Sequence, residues 1–216
     1  MNHPEQICAA MAELVRTGLN RGASGNISVR DGDSMLITPS GITPQNLRPE
    51  MMARIPLDRD DSFEGPFAPS VEWRFHRDIL RTRPEMGAVV HSHAPWCTVL
   101  ACARRPIPAV HYMIAAFGGP DIRVADYATY GSAELSHNVL KAMEGRAGCL
   151  MANHGMVVAG PTLERAMWLA EEIEALAHQH FHSLLIGGAA LLSQNEIADT
   201  MAGFATYGPR ATGEGK

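Results

Sequence analysis

The sequence predicts a single α/β layered domain with a mainly antiparallel central sheet flanked by helices, and three observations carry that expectation. Stretches with helical spacing of apolar residues alternate with short apolar runs of strand length, the pattern of a sheet covered by helices. The first two strand-like pieces are joined by Asp31-Gly32-Asp33, a hairpin signal that argues against an all-parallel sheet. The chain has 216 residues, 46% of them hydrophobic, which suits one core, and it carries no repeat, low-complexity tract or interior linker.

Residues 4–19 place Ile7, Met11, Leu14 and Val15 at helical spacing, and Gly18 and Gly22 mark the end of that helix. NISVR and SMLIT are the hairpin strands, TPSGITP is a loop, and residues 51–57 form a further strand before DRDD. Ser70 is placed to cap a helix over 71–82 that stops ahead of Pro84. GAVVHSH is a buried strand and PWCTVLACA the helix after it. AVHYMIAA reads as a strand, although an apolar run alone does not exclude a helix. SAELSHNVLKAME has a serine N-cap and an amphipathic stripe, and GCLMANHGMVVAG reads as two strands around a turn. Thr162 opens a long helix, and Ser193 with Glu196 forms a capping box for the last one. The domain is expected to span 1–210, with 211–216 a mobile tail.

Net charge is −5 and basic residues are scattered, which excludes the clustered Lys and Arg of a nucleic-acid surface. The first residues lack the uninterrupted apolar stretch of a signal peptide, and no run approaches the roughly 18 apolar residues of a membrane helix. Cys8, Cys97, Cys102 and Cys149 form no C-x-x-C pair, so reduced cysteines in a cytoplasmic protein are expected.

The chemistry begins with His91 and His93. Residues two apart on a strand share a face, so the two imidazoles stand together while Ser92 faces away. Such a pair alone is more often packed or exposed than metal-bound. His154, in the turn ANHGM beside Gly155, adds a third candidate, and three ligands with one open position suit catalytic zinc. Glu72, in PSVEWRFH, suits a helix N-terminus electrostatically, which is worth about 0.3–1 kcal/mol. It also suits a carboxylate acting as metal ligand or general base. His76, one turn on, reads either as a residue that supports Glu72 from behind or as a packed residue, and packing is favoured. His178 and His182 on the long helix, like Trp73, Trp96 and Trp168, read as packing or surface residues.

Taken together, GLNRGASGNISVR, LITPSGI, PSVEWRFH, VVHSHAPWCT, IPAVHYMIAAFGG, YATYGSAEL and NHGMVVAG resemble the class II aldolase/adducin family, in order from about residue 4 to Arg210. The pattern is nearest to the members that cleave L-fuculose 1-phosphate. The resemblance implies a nine-stranded, mainly antiparallel sheet and a cyclic homotetramer with active sites at subunit interfaces. The implied activity is zinc-dependent cleavage of a ketose 1-phosphate to dihydroxyacetone phosphate and a hydroxyaldehyde, with one Zn2+ per subunit. By position, His91, His93 and His154 match the zinc histidines, and Glu72 matches the catalytic glutamate that also ligates resting metal. Tyr112 matches a tyrosine that handles the proton on the aldehyde oxygen from an adjacent subunit, and Tyr207 matches a tyrosine near the same site. Gly25-Asn26, Ser40-Gly41 and Ser70-Val71 match the segments that cradle the substrate phosphate.

The residues support a metal route independently. Breaking a carbon–carbon bond beside a ketone leaves negative charge, which either a lysine Schiff base or a Lewis-acid metal can stabilise. The only lysines are Lys141, among polar neighbours on a helix, and Lys216, the last residue. Neither suits a desolvated amine nucleophile.

Two positions depart from the family pattern: Ala23 where threonine is usual and Val71 where a second serine is usual. Each removes a hydroxyl whose hydrogen bond to a charged partner would be worth about 1.5–3 kcal/mol. Decarboxylation of a keto-sugar or aromatic acid therefore stands as an alternative to phosphorylated substrates. The family's 4-epimerases usually carry aspartate at Glu72, and its adducin-type interaction domains lack the zinc ligands. A zinc hydrolase would lack its H-E-x-x-H helix here.

Overall fold

Polar–apolar alternation in Asn26–Asp31 (β1) and the apolar run of Ser34–Ile37 (β2) build the expected hairpin, whose turn needs Gly32 in the left-handed region at φ 62°. The structure, a computed structural model, describes residues 2–59 and 62–204. Ala53–Pro56 (β3) pairs with β2, and Ala88–Ser92 (β4) pairs with the other edge of β1. Gly148–Met151 (β6) and Gly155–Gly160 (β7) form the second hairpin, and Val124–Ala125 (β5) lies at the edge. The strand order is β3-β2-β1-β4-β7-β6-β5, antiparallel throughout except for the β5–β6 pair.

Six helices cover this sheet among the described residues. His3–Arg16 (α1), Pro95–Cys102 (α3) and Leu163–Leu185 (α5) bury one face, against Ile27, Val90, Leu150 and Val158. Trp73–Thr82 (α2) and Ala133–Ala142 (α4) cover the other, against Ile37, Val89, Cys149 and Val157. Gln194–Phe204 (α6) follows the capping box, in which Glu196 accepts from the Ser193 N–H at 2.7 Å. The Ser132 and Thr162 caps form as expected. None of the described helices is long and apolar enough to cross a membrane. The four cysteines are free, with Cys97 and Cys149 buried.

Three expectations are corrected. AVHYMIAA is not a strand: Tyr112–Phe117 is a 3-10 segment, because Ile114 and Phe117, three apart, fall on its buried side, and Gly118 ends it at φ 88°. Ser70 does not cap α2, which starts at Trp73 with Glu72 at the cap position. The Ser70 carbonyl instead closes a turn onto the Trp73 N–H at 3.0 Å, and its hydroxyl is engaged by Asn26. The sheet has seven strands among the described residues rather than nine. Pro39–Pro69 and Ile107–Ile122 meet only as isolated bridges, where prolines at or beside the bridge lack the N–H that would extend a ladder.

Candidate active site

Strand parity assembles the centre. Val89 and His91 project from the same face of β4 toward α2, and Asn26 on β1 stands directly opposite His91. The strand stops at Ser92, so His93 lies just beyond it, yet the two rings still meet with centroids 5.1 Å apart. His154 arrives from the β6–β7 turn. Asn153 supplies the left-handed residue of that turn (φ 56°). Gly155 serves a different need than a tight turn: a Cβ there would lie 2.5 Å from the Ser92 carbonyl oxygen.

The three imidazoles form a pinwheel. Centroids are 4.9–5.1 Å apart and planes cross at 70–72°. One ring nitrogen from each lies within 4.8 Å of the other two. His91 donates its Nδ1–H to the Met156 carbonyl at 2.8 Å, which leaves the Nε2 lone pair facing inward. Glu72, at the N-terminal end of α2, closes the group: Oε2 is 3.3 Å from His91 Nε2 and Oε1 is 3.1 Å from His154 Nε2. His91 Nε2 and Glu72 Oε1 are buried without a hydrogen-bond partner. Stranding both costs free energy unless a cation sits between them. Three neutral imidazoles and a carboxylate are a donor set that fits a divalent first-row metal.

The electrostatics agree. Burial alone would raise the Glu72 carboxyl, but the His91 and His154 imidazoles more than reverse this and hold it well below the usual carboxylate range. Burial, then the neighbouring His91 and His154, lower His93 to about 4, so its ring is neutral at physiological pH, the form that can bind a metal.

The centre forms one end of a cavity of about 370 Å3. Glu72, His93 and His154 line it together with Gly25, Asn26, Ser40, Gly41 and Ser70, so segments far apart in sequence converge as the motif reading expects. Gly25 is required by both conformation and space: φ is 75°, and a Cβ would lie 2.8 Å from the His91 carbonyl oxygen. Ala23 and Val71 line the same cavity.

A class II aldolase and adducin N-terminal domain model matches residues 5–181. The chain belongs to the class II aldolase/adducin family. It is 52% identical over 202 residues to a 5-methylthioribulose-1-phosphate/5-deoxyribulose-1-phosphate aldolase of Rhodospirillum rubrum, covering 94% of this chain and 90% of that one. It is 44% identical over 206 residues to an L-fuculose phosphate aldolase of Escherichia coli K12, covering 95% of each. A solved L-fuculose 1-phosphate aldolase superposes with a TM-score of 0.90 at 38% identity, over 94% of this chain and 95% of that one.

Within this class II aldolase/adducin fold, Tyr112 does not reach the histidine cavity of its own chain. It is half exposed on the 3-10 segment and lies in a separate groove with His111, Trp168 and Phe204. Tyr207 lies outside the described residues. His178 and His182 pack on Trp96, as expected, with centroids 4.6 and 4.9 Å from its ring. Lys141 is exposed on α4. Among the cavity-lining residues that sequence reasoning left without a role are Tyr127 and Tyr130, in the quoted YATY, and Asn153, beside His154. Sequence reasoning also set His76 aside as packing, although His76 is hydrogen-bonded to both Ser28 and Asn26.

Proposed function

We propose that this class II aldolase-family chain reversibly cleaves a ketose 1-phosphate to dihydroxyacetone phosphate and a hydroxyaldehyde, as a zinc-dependent homotetramer in the cytoplasm. The observation that carries the reading is the buried pinwheel of His91, His93 and His154 with Glu72 against it, at one end of a cavity whose walls bring three small-residue turns together. The relatives named above act on L-fuculose phosphate or on 5-deoxy and 5-methylthio ribulose phosphates, sugars that share an unhydroxylated terminal carbon. Tyr127, Ala128, Tyr130 and Val71 give the cavity a rim suited to such an apolar end. L-fuculose 1-phosphate and 5-deoxyribulose 1-phosphate are therefore the substrates to compare.

His91, His93 and His154 hold the zinc, with Glu72 as a further ligand in the resting state. When bound there, zinc supplies the Lewis-acid charge that an enediolate needs. Glu72 removes the proton from the hydroxymethyl carbon of dihydroxyacetone phosphate in the condensation direction and returns it during cleavage. Tyr112 of the adjacent subunit gives a proton to the aldehyde oxygen in condensation and takes it from the hydroxyl in cleavage; its exposure away from its own cavity supports that arrangement. Gly25 and Gly41 approach the phosphate with backbone N–H groups, and Ser40, whose N–H is held by the Ala68 carbonyl, and Ser70 approach it with their hydroxyls.

The test follows dihydroxyacetone phosphate release from each sugar phosphate before chelation, after it, and after zinc is restored. Release that stops with chelator and returns with zinc is expected. No release from protein confirmed to hold zinc would overturn the reading, and carbon dioxide release from a keto acid would replace it with decarboxylation.

A further inference from the structure

We infer that His76, backed by Ser28, is a positioning residue whose tautomer sets the direction of the hydrogen bonds linking the metal-site carboxylate to the anion end of the cavity. The inference rests on the proposed function for what those two ends bind, but its geometry stands by itself.

The pieces meet because two periods match. Glu72 and His76 are four apart at the start of α2, about 6 Å along a helix axis. Asn26 and Ser28 are two apart on β1, about 6.6–6.8 Å along a strand, and face α2. The pairs therefore lie side by side: Asn26 Nδ2 is 2.9 Å from Glu72 Oε2, and Ser28 Oγ is 2.8 Å from His76 Nδ1. A diagonal contact of 2.5 Å joins His76 Nε2 to Asn26 Oδ1. His76 and Ser28 are fully buried, so no water competes.

Donor and acceptor roles then follow for a neutral His76 ring. Asn26 presents its amide nitrogen to Glu72 and donates to the carboxylate oxygen Oε2 at 2.9 Å. The Asn26 oxygen consequently faces His76 and also only accepts, so His76 carries its proton on Nε2. Nδ1 is left bare and accepts from the Ser28 hydroxyl. At the other end, the second Asn26 N–H donates to Ser70 Oγ at 2.9 Å, and the Glu72 backbone N–H reaches the same oxygen at 3.4 Å. Ser70 Oγ thus accepts on the protein side, and because Ser70 lines the cavity its single O–H is left to donate to an anion there. Both Asn26 amide protons are committed to Glu72 and Ser70, so its side chain orients these two groups and keeps no donor for phosphate. One buried imidazole thereby aligns the base and the anion-facing hydroxyl together.

The experiment uses full-length zinc-loaded protein as wild type, His76→Leu, His76→Gln and Ser28→Ala. Nitrogen NMR of the imidazoles reads the tautomer. Competition with a chromophoric chelator reads zinc affinity, and titration with inorganic phosphate reads the anion end. Neither titration requires turnover. His76→Leu is expected to lose about 10–100-fold in zinc or phosphate affinity while remaining folded, the usual effect of removing a group behind a ligand. His76→Gln, which keeps an N–H toward Asn26, is expected to recover most of that loss. Folded His76→Leu with both affinities intact would overturn the inference, as would a His76 spectrum showing a charged ring or the Nδ1–H tautomer. Should His76→Leu fail to fold, the tautomer decides: Nε2–H in wild type, kept in Ser28→Ala because the Asn26 oxygen still faces Nε2, supports the inference, and Nδ1–H or a charged ring overturns it. Wild type that cleaves no ketose phosphate would end the proposed function and leave these readings able to decide the role of His76.

Discussion

Gly155→Ala isolates how closely two backbones must approach to build the metal centre. Gly155 opens β7 directly after His154 and faces the end of β4. An added Cβ would lie 2.5 Å from the Ser92 carbonyl oxygen, 3.0 Å from His93 Cδ2 and 3.3 Å from His93 Cα, where ordinary contact begins at 3.4 Å. The deficit is about 1 Å at a carbonyl that cannot rotate away. β4 is held in register on both sides, by β1 at Asn26–His91 and by β7 at Ser92–Met156. Strain from such overpacking is expected to cost about 1–3 kcal/mol of stability. Relief must separate His154 from His93, and a displacement of about 1 Å in a reacting constellation costs on the order of 100-fold in activity. The control is Gly32→Ala, where φ is 62° and nothing lies within 4 Å of the new Cβ. Left-handed strain there should cost about 1–2 kcal/mol. Urea unfolding and zinc competition on both variants separate the effects: similar destabilisation, with metal affinity lost only in Gly155→Ala. Zinc affinity unchanged in Gly155→Ala would refute the close-approach argument.

Glu72→Gln keeps the shape but removes the charge facing two imidazoles, and kcat should fall by about 100–10,000-fold with the fold retained on circular dichroism. Mixing inactive Glu72→Gln with inactive Tyr112→Phe subunits should restore cleavage in hybrid assemblies, since each intact residue then meets its complement across an interface; dead hybrids would place both in one chain's site. Chelation should lower the thermal midpoint, because metal at about 100 times its dissociation constant contributes about 2.7 kcal/mol to the folded state. Burial, then the neighbouring His91, lower His76 to about 3, so between that value and the ordinary pKa near 6.5 the unfolded chain binds a proton that the native state refuses. This contribution to stability is present above about pH 6.5 and is lost as pH falls, by about 1.4 kcal/mol per unit. Urea unfolding of metal-free protein should show that slope as the difference between wild type and His76→Leu, since His93 adds its own in both.

Local signals determined most of the architecture. Asp31-Gly32-Asp33 set the first hairpin because a two-residue turn needs its own glycine, and Ser132, Thr162 and Ser193 started helices because a capping hydroxyl acts within three residues. The HSH spacing pointed to two imidazoles that meet, although parity places only His91, because His93 lies just past the end of β4. The sequence by itself could not decide between strand and helix for AVHYMIAA, where an unbroken apolar run has no period to read and burial of Ile114 and Phe117 selected the 3-10 form. Nor could it show that Glu72 sits at the cap position of α2, that Gly155 is needed for space, or that His76 meets Asn26 and Ser28. Those facts depend on which strand lies beside which and how α2 lies over β1. That registry is set by the two apolar cores on opposite faces of the sheet, and it alone brings residues 26, 72, 91 and 154 within hydrogen-bonding reach.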